Sequence, residues 1–289
     1  MRRAILPLLV LAAIATAAGL AWWTLSGGRW GGVGGGPGAD AVTETRTLPP
    51  FHAIDVSGIA DITLVQGDTD LIVIEASPRA QRQIQASVRN ETLVIHAADE
   101  RSTVFAMFGR TTRSSRITVT FRNLDAIEAS GAVKIAAPAP LKIPALRISA
   151  SGTVALRLEN LQVQTLKLSG AGAVKADLAG RAAEQAVSIS GAGKYDAPML
   201  ESDDARVAVS GAGKVIVNAR KTLTINLSGA GLVEYVGDPQ VKQSVSGVGK
   251  VRRRDAATDA PRRTFHVAAY SRAAFSAWSP ALPQGWSRA

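Results

Sequence analysis

No cysteine occurs anywhere in the 289 residues. That excludes disulfides, thiolate metal sites and a cysteine nucleophile, and it leaves the redox compartment open. Histidine is scarce as well. His52, His96 and His266 are scattered and lack the spacing of a metal site. Aromatics make up 5% of the chain, and Trp22, Trp23, Trp30, Trp278 and Trp286 all stand outside its central part. Exposed aromatic rings are the usual platforms for sugars, so carbohydrate recognition lacks its commonest signature here without being excluded.

What the chain has in abundance is one short phrase, apolar–x–apolar–Ser–Gly–x–x–x–apolar. Its Ser-Gly pairs begin at Ser130, Ser151, Ser169, Ser190, Ser210, Ser228 and Ser246, with an earlier copy at Ser57. A period near 20 residues is the mark of a solenoid. Aligned on serine, Ile127, Ile148, Leu166, Val187, Val207, Ile225 and Gln243 stand three residues before it. Ala129, Ala150, Leu168, Ile189, Val209, Leu227 and Val245 stand one before, and Ile135, Leu156, Val174, Tyr195, Val215, Val233 and Val251 stand five after. Even-numbered offsets share one face of an extended chain, and β-branched residues favour strands. Glycine permits the corner between strands and close approach of stacked backbones. Coils stacked about 4.8 Å apart would pile these residues into core ladders, with Tyr195 and Tyr235 inside. The expected fold is all-β: a single right-handed parallel β-helix of about 20 residues per coil.

The outward columns carry serine and, four residues later, Lys134, Lys194, Lys214 and Lys250, interrupted by Ala155, Ala173 and Leu232. This lysine stripe reads either as a solvated face or as a contact for an anionic polymer. Asp177, Asp196 and Glu234 follow their serines by eight, six and six residues. Asp196 and Glu234 then share a column two coils apart, roughly 10 Å, which is marginal for an inverting glycosidase pair. No base repeats beside the serines. No catalytic, cofactor-binding or metal-ligating residue is therefore assigned.

Between Ser57 and Ser130 the phrase is absent. Strands are expected at Asp61–Val65, Leu71–Glu75, Thr92–His96 and Arg116–Phe121, with turns at Gln66–Asp68 and Arg89–Glu91. Residues 78–86 read as a helical turn or a loop. Residues 97–115 read as a projecting loop, with partner binding at its tip as the alternative.

Both ends differ from the centre. Arg2 and Arg3 precede an apolar stretch from Ala4 to about Leu25. This is an export signal; its length of about 20 residues suits a hydrophobic membrane helix. Ala15-Thr16-Ala17 and Gly19-Leu20-Ala21 offer cleavage sites, so anchor and cleaved signal both stand. Residues 26–46 form a Gly-rich linker, residues 47–251 the repeat domain, and residues 252–289 a basic, disordered tail. The net charge of +10 splits as +3 over residues 1–39, +2 over 40–251 and +5 over 252–289, so the domain itself is nearly neutral. Nucleic-acid binding is disfavoured by export and by the lack of a recognised module.

Phe51-His-Ala-Ile-Asp-Val-Ser-Gly58, Asp61-Ile-Thr-Leu-Val-Gln-Gly67, Leu93-Val-Ile95 and the Ser-Gly-Ala-Gly series that follows are similar in order and spacing to the family of putative auto-transporter adhesins with a head GIN domain. The resemblance spans about Thr47 to Val251. It implies a right-handed β-helix in the bacterial cell envelope and no catalytic motif. Many relatives begin as lipoproteins, which a chain without cysteine cannot do. The function expected is a non-enzymatic, adhesin-like envelope protein, exported to the periplasm or cell surface. It would touch the membrane through its N-terminal segment and present its faces to another protein or a surface polysaccharide. The alternatives are a polysaccharide-active envelope enzyme and a membrane-held scaffold or signalling partner.

Overall fold

A computed structural model of the chain describes residues 41–97 and 115–254. The alternating apolar segments form strands β1 (Val42–Thr47), β2 (Ala53–Gln66), β3 (Leu71–Ala76), β4 (Ile84–Arg89), β5 (Thr92–Ala97), β6 (Arg116–Phe121) and β7 (Ala126–Ala137). The long extended run β8 (Leu141–Gly229) follows, then β9 (Leu232–Val236), β10 (Gln240–Gly247) and β11 (Lys250–Arg253). All eleven belong to one mixed sheet. A single helical turn, α1 (Pro78–Gln81), starts at a proline and is capped by Ser77, whose Oγ accepts from the Ala80 amide at 3.3 Å. Among the described residues no helix is long and apolar enough to cross a membrane. The expected N-terminal hydrophobic helix over residues 1–25, most of the 97–115 loop and nearly all of the tail lie outside the described residues.

Copies of the phrase stack in register and in parallel. Ser57-Gly58 pairs with Ser130-Gly131, which pairs with Ser151-Gly152. At the far end Ser246-Gly247 pairs with Ser228-Gly229. The 73 residues that separate Ser57 from Ser130 in sequence separate them by one rung in space. The intervening chain passes to the other side of β2, where β5 pairs with its first half and β6 with its second. His96 and Ala97, at the end of β5, sit on Ser57 and Gly58 of the corner column. Antiparallel strands close this end: β4 on β5, and β3 on β6 with β1 outside it.

Three boundaries differ from expectation. Residues 42–46 of the expected linker belong to strand β1, because each residue of Val42–Thr47 finds a partner on β3. The segment read as a helical turn or a loop over 78–86 holds the turn only at Pro78–Gln81, and its last three residues open strand β4, because Asn90 and Glu91, at φ +48° and +58°, form a two-residue hairpin turn into β5. The third correction concerns the repeat itself. The corner residues with positive φ are Gly58, Gly131, Gly152, Gly172, Gly191, Gly211, Gly229 and Gly247. In the copy at Ser169 the corner is Gly172, whose position stacks on Gly152, and not Gly170.

The corners share one packing rule. Two residues before each corner and two after it, the chain points inward at nearly the same place. Where the first is small, as Ala129, Ala150 and Gly170 are, the second is a buried valine: Val133, Val154 or Val174. Where the first is large, as Ile189 and Leu227 are, the second is glycine. A Cβ on Gly193 would lie 2.6 Å from Ile189, and one on Gly231 would lie 2.8 Å from Leu227. Each corner holds one bulky residue, and the Ser-Gly-Ala-Gly spelling is what remains after that volume is filled.

The three apolar columns are buried from Ile127 to Val233, and Tyr195 is fully enclosed. Tyr235 is half-buried and packs against the core. Only the last coil departs: Gln243 and Val245 are exposed and Val251 is half-buried, since no further coil covers them among the described residues. A polar cluster lies within the core around Tyr195. Tyr195 Oη donates to Gln185 Oε1 at 3.0 Å, Gln185 Nε2 donates to Ser202 Oγ at 2.6 Å, and Ser202 Oγ donates to the Asn218 carbonyl at 2.6 Å. Tyr195→Phe strands the Gln185 oxygen and is expected to lower stability by about 1–2 kcal/mol in denaturant melts. An unchanged melt would show that the cluster contributes nothing net.

Candidate functional site

The outward columns run along the strands of the stack, and their charges are set by the corrected register. Counting from the corner glycine, the third position after it holds Lys134, Ala155, Lys175, Lys194, Lys214, Leu232 and Lys250. Serine alignment puts Ala173 in this column, whereas the fold puts Lys175 there. A slip of two residues keeps every side chain on its face, so alternation alone carries no sign of it. Lys175, Lys194 and Lys214 therefore occupy three successive coils.

The acids stand two residues further along the same strands. Asp177 joins the column of Asp196 and Glu234, contrary to the serine count. Lys194 Nζ is 2.8 Å from Asp196, Lys175 Nζ is 3.6 Å from Asp177, and Lys214 Nζ is 3.0 Å from Glu234 Oε2. Lysine stripe and acid column are thus one interlocked charged face. Asp61 sits between Arg116 and Lys134 in register, where burial pushes its carboxyl up more than the two cations pull it down.

Glu234 is not the surface acid that its position in the repeat implies. Its side chain is only 2% exposed. It lies on the ladder between Ile216 and Arg252, and Arg252 grips Oε1 with Nε at 2.6 Å and with a second nitrogen. Burial alone would raise the carboxyl, but Arg252 and Lys214 together hold it below the usual carboxylate range. A depressed pKa contributes stability above the unfolded value, about 4.3 for Glu, and that contribution fades as pH falls through the folded value. Glu234→Gln is expected to flatten this acid limb of the stability–pH curve; a parallel curve would remove the assignment. Lys214→Ala, an apparently neutral change in an outward column, should cost about 1–2 kcal/mol, because it takes one of two cations from a buried carboxylate.

Asp177 and Asp196 lie on neighbouring coils, about 5 Å apart at the backbone. Each is engaged by its own lysine along its own strand, and they do not face each other across a cleft. The serines of the phrase are exposed or half-buried, as expected. Among the described residues only Ser57 has a histidine against it: Ser57 Oγ and His96 Nδ1 are 2.9 Å apart. Among the described residues no carboxylate orients that ring, so the pair lacks the third member of a hydrolytic triad. His52 stands apart beside Glu91, and His266 lies outside the described residues. No cluster of metal-ligating side chains occurs among the described residues.

An open groove of about 770 Å³ crosses the stack on this side. Alanines and glycines of successive corners form its floor, and the lysine column forms its wall.

Solved structures share this fold. A putative adhesin from Bacteroides fragilis superposes with a TM-score of 0.69 at 22% identity, covering 77% of this chain and all of that one. A putative adhesin from Parabacteroides merdae gives 0.57 at 21%, covering 75% and 98%. A putative lipid-binding protein from Parabacteroides distasonis gives 0.57 at 16%, again covering 75% and 98%. No curated protein matches the chain. The family model described as "Putative auto-transporter adhesin, head GIN domain" matches residues 50–239, and the chain belongs to that family.

Proposed function

We propose that this protein is a non-enzymatic, adhesin-like component of the bacterial cell envelope. Its stacked coils form a right-handed parallel β-helix that presents a binding face to another protein or to a surface polymer. The observation that carries the reading is the charged face itself. Asp177, Asp196 and Glu234, the acids that a polysaccharide enzyme would need, are each tied to a cation of the scaffold. Ligand-facing chemistry is then spread along columns and not gathered at one point, which suits adhesion and not turnover. Family membership and the shared fold agree with this reading.

Export follows from the Arg2-Arg3 start and the apolar stretch behind it, acting as a cleaved signal or a retained anchor. A reporter that works only outside the cytoplasm, fused after residue 251, is expected to be active; a reporter active only in the cytoplasm would overturn the envelope assignment. A panel of acidic and neutral polysaccharides is expected to yield no reducing ends and no unsaturated sugars. Release of either, abolished by Asp196→Ala or Glu234→Ala, would replace adhesion with catalysis.

A further inference from the structure

We infer that the groove along the lysine column takes a linear anionic polysaccharide of the uronate type, laid across the coils. This deepens the binding-face reading and rests on it. The groove's floor positions Ala173, Ala192, Ala212, Ala230 and Val248 come from five successive coils. At ladder spacing that is a trough roughly 19 Å long. Its cross-section repeats because the repeat does. Such a site suits a ligand with translational repeat of its own and gives little purchase to a compact small molecule.

The wall supplies charge on four of the five coils, with Leu232 breaking the row. Lys175, Lys194, Lys214 and Lys250 border the floor. Lys175 and Lys194 are bound to acids two residues along the strand, and their side chains are each 47% exposed. An ammonium group carries three N–H donors, so Lys175 and Lys194 stay beside their acids while turning a further N–H to an arriving carboxylate. Lys214, committed to buried Glu234, is the fixed member of the row.

A polysaccharide fits better than an acidic peptide for a backbone reason. Extended peptides bind sheets by adding a strand to an open edge. Here the floor is already paired within the stack: the Ala230 amide donates to the Gly211 carbonyl at 3.0 Å, and the Lys250 amide donates to the Gly231 carbonyl at 2.9 Å. What remains is a flat surface of Cα and Cβ groups, on which the apolar face of a sugar ring lies without displacing a hydrogen bond.

The full chain, solubilised in detergent, would be titrated with polygalacturonate, galacturonate monomer, neutral dextran and polyglutamate. Saturable binding to polygalacturonate that weakens with salt is expected, with monomer and dextran inert. Ala212→Trp fills the trough without changing charge and should weaken binding by roughly tenfold or more. Ala230→Trp serves the same purpose should the first variant fail to fold. Lys175→Ala combined with Lys194→Ala should weaken binding comparably and flatten the salt dependence. Absence of polygalacturonate binding, or equal binding of polyglutamate, overturns the inference. So does undiminished binding by both tryptophan variants, which would place the attraction elsewhere, as on the arginine-rich stretch after Val251. None of these results touches the envelope reading, which fails separately on the export reporter.

Discussion

Gly211→Val is expected to be the most damaging single substitution at a position that looks exposed. Gly211 has a φ of +128°, which side chains rarely adopt. A Cβ there would stand 2.6 Å from the carbonyl oxygen of Gly191 and 3.0 Å from its amide nitrogen. Both obstacles are backbone, so no rotamer change relieves the contact. Nor can the strand move aside, because Gly191 rests on Gly172 below and Gly229 rests on Gly211 above in the same way. The added strain and broken ladder should cost about 3 kcal/mol or more. For a domain of this size that lowers the melting temperature by on the order of 10 °C. Ser210→Ala, next to it and outward, should change stability by less than about 0.5 kcal/mol. Comparable melts for the two variants would refute the corner geometry.

Val209→Asp is the second large effect, and it tests the inside of the stack. Val209 is 2% exposed. It is the bulky residue of its corner: a Cβ on Gly213 would come within 3.6 Å of its Cγ1, and one on Gly231 within 3.5 Å. An aspartate here would be enclosed between Ile189 and Leu227, the equivalents on the coils either side, with no cation in the column. Burying an unpaired charge in such a place should cost about 4 kcal/mol or more, enough to unfold a marginal domain. Circular dichroism and a denaturant melt of the purified variant would show loss of strand signal. A folded, native-like variant would mean that the corner is open to water and the column assignment is wrong.

Much of this was legible because the repeat is written in two independent ways. Parity separates inside from outside over each short strand, and the recurrence of Ser-Gly gives the rung. Together they located the buried columns from Ile127 to Val233, the exposed serines and β6 to the residue. At Ser169 parity could not arbitrate, since Gly170 and Gly172 stand two residues apart, and the serine was a weak guide. It faces solvent, where little constrains it, while the interior positions are constrained by volume.

The sequence by itself therefore determined the all-β character, the approximate rung length, which residues face the core and the family, since these depend on local alternation and periodic recurrence. Only the tertiary structure decided which residues are neighbours across coils. It placed Ser57 directly on Ser130, brought Lys175 and Asp177 into the charged columns, enclosed Glu234 between Arg252 and Lys214, and joined Tyr195 to Gln185, Ser202 and Asn218. Each of these depends on the exact offset between rungs, which varies between 18 and 21 residues along the corner glycines from Gly131. A shift of one residue turns a side chain from one face to the other. That offset is set by how well corner side chains fill the interior, a packing quantity that exists only once the coils are stacked.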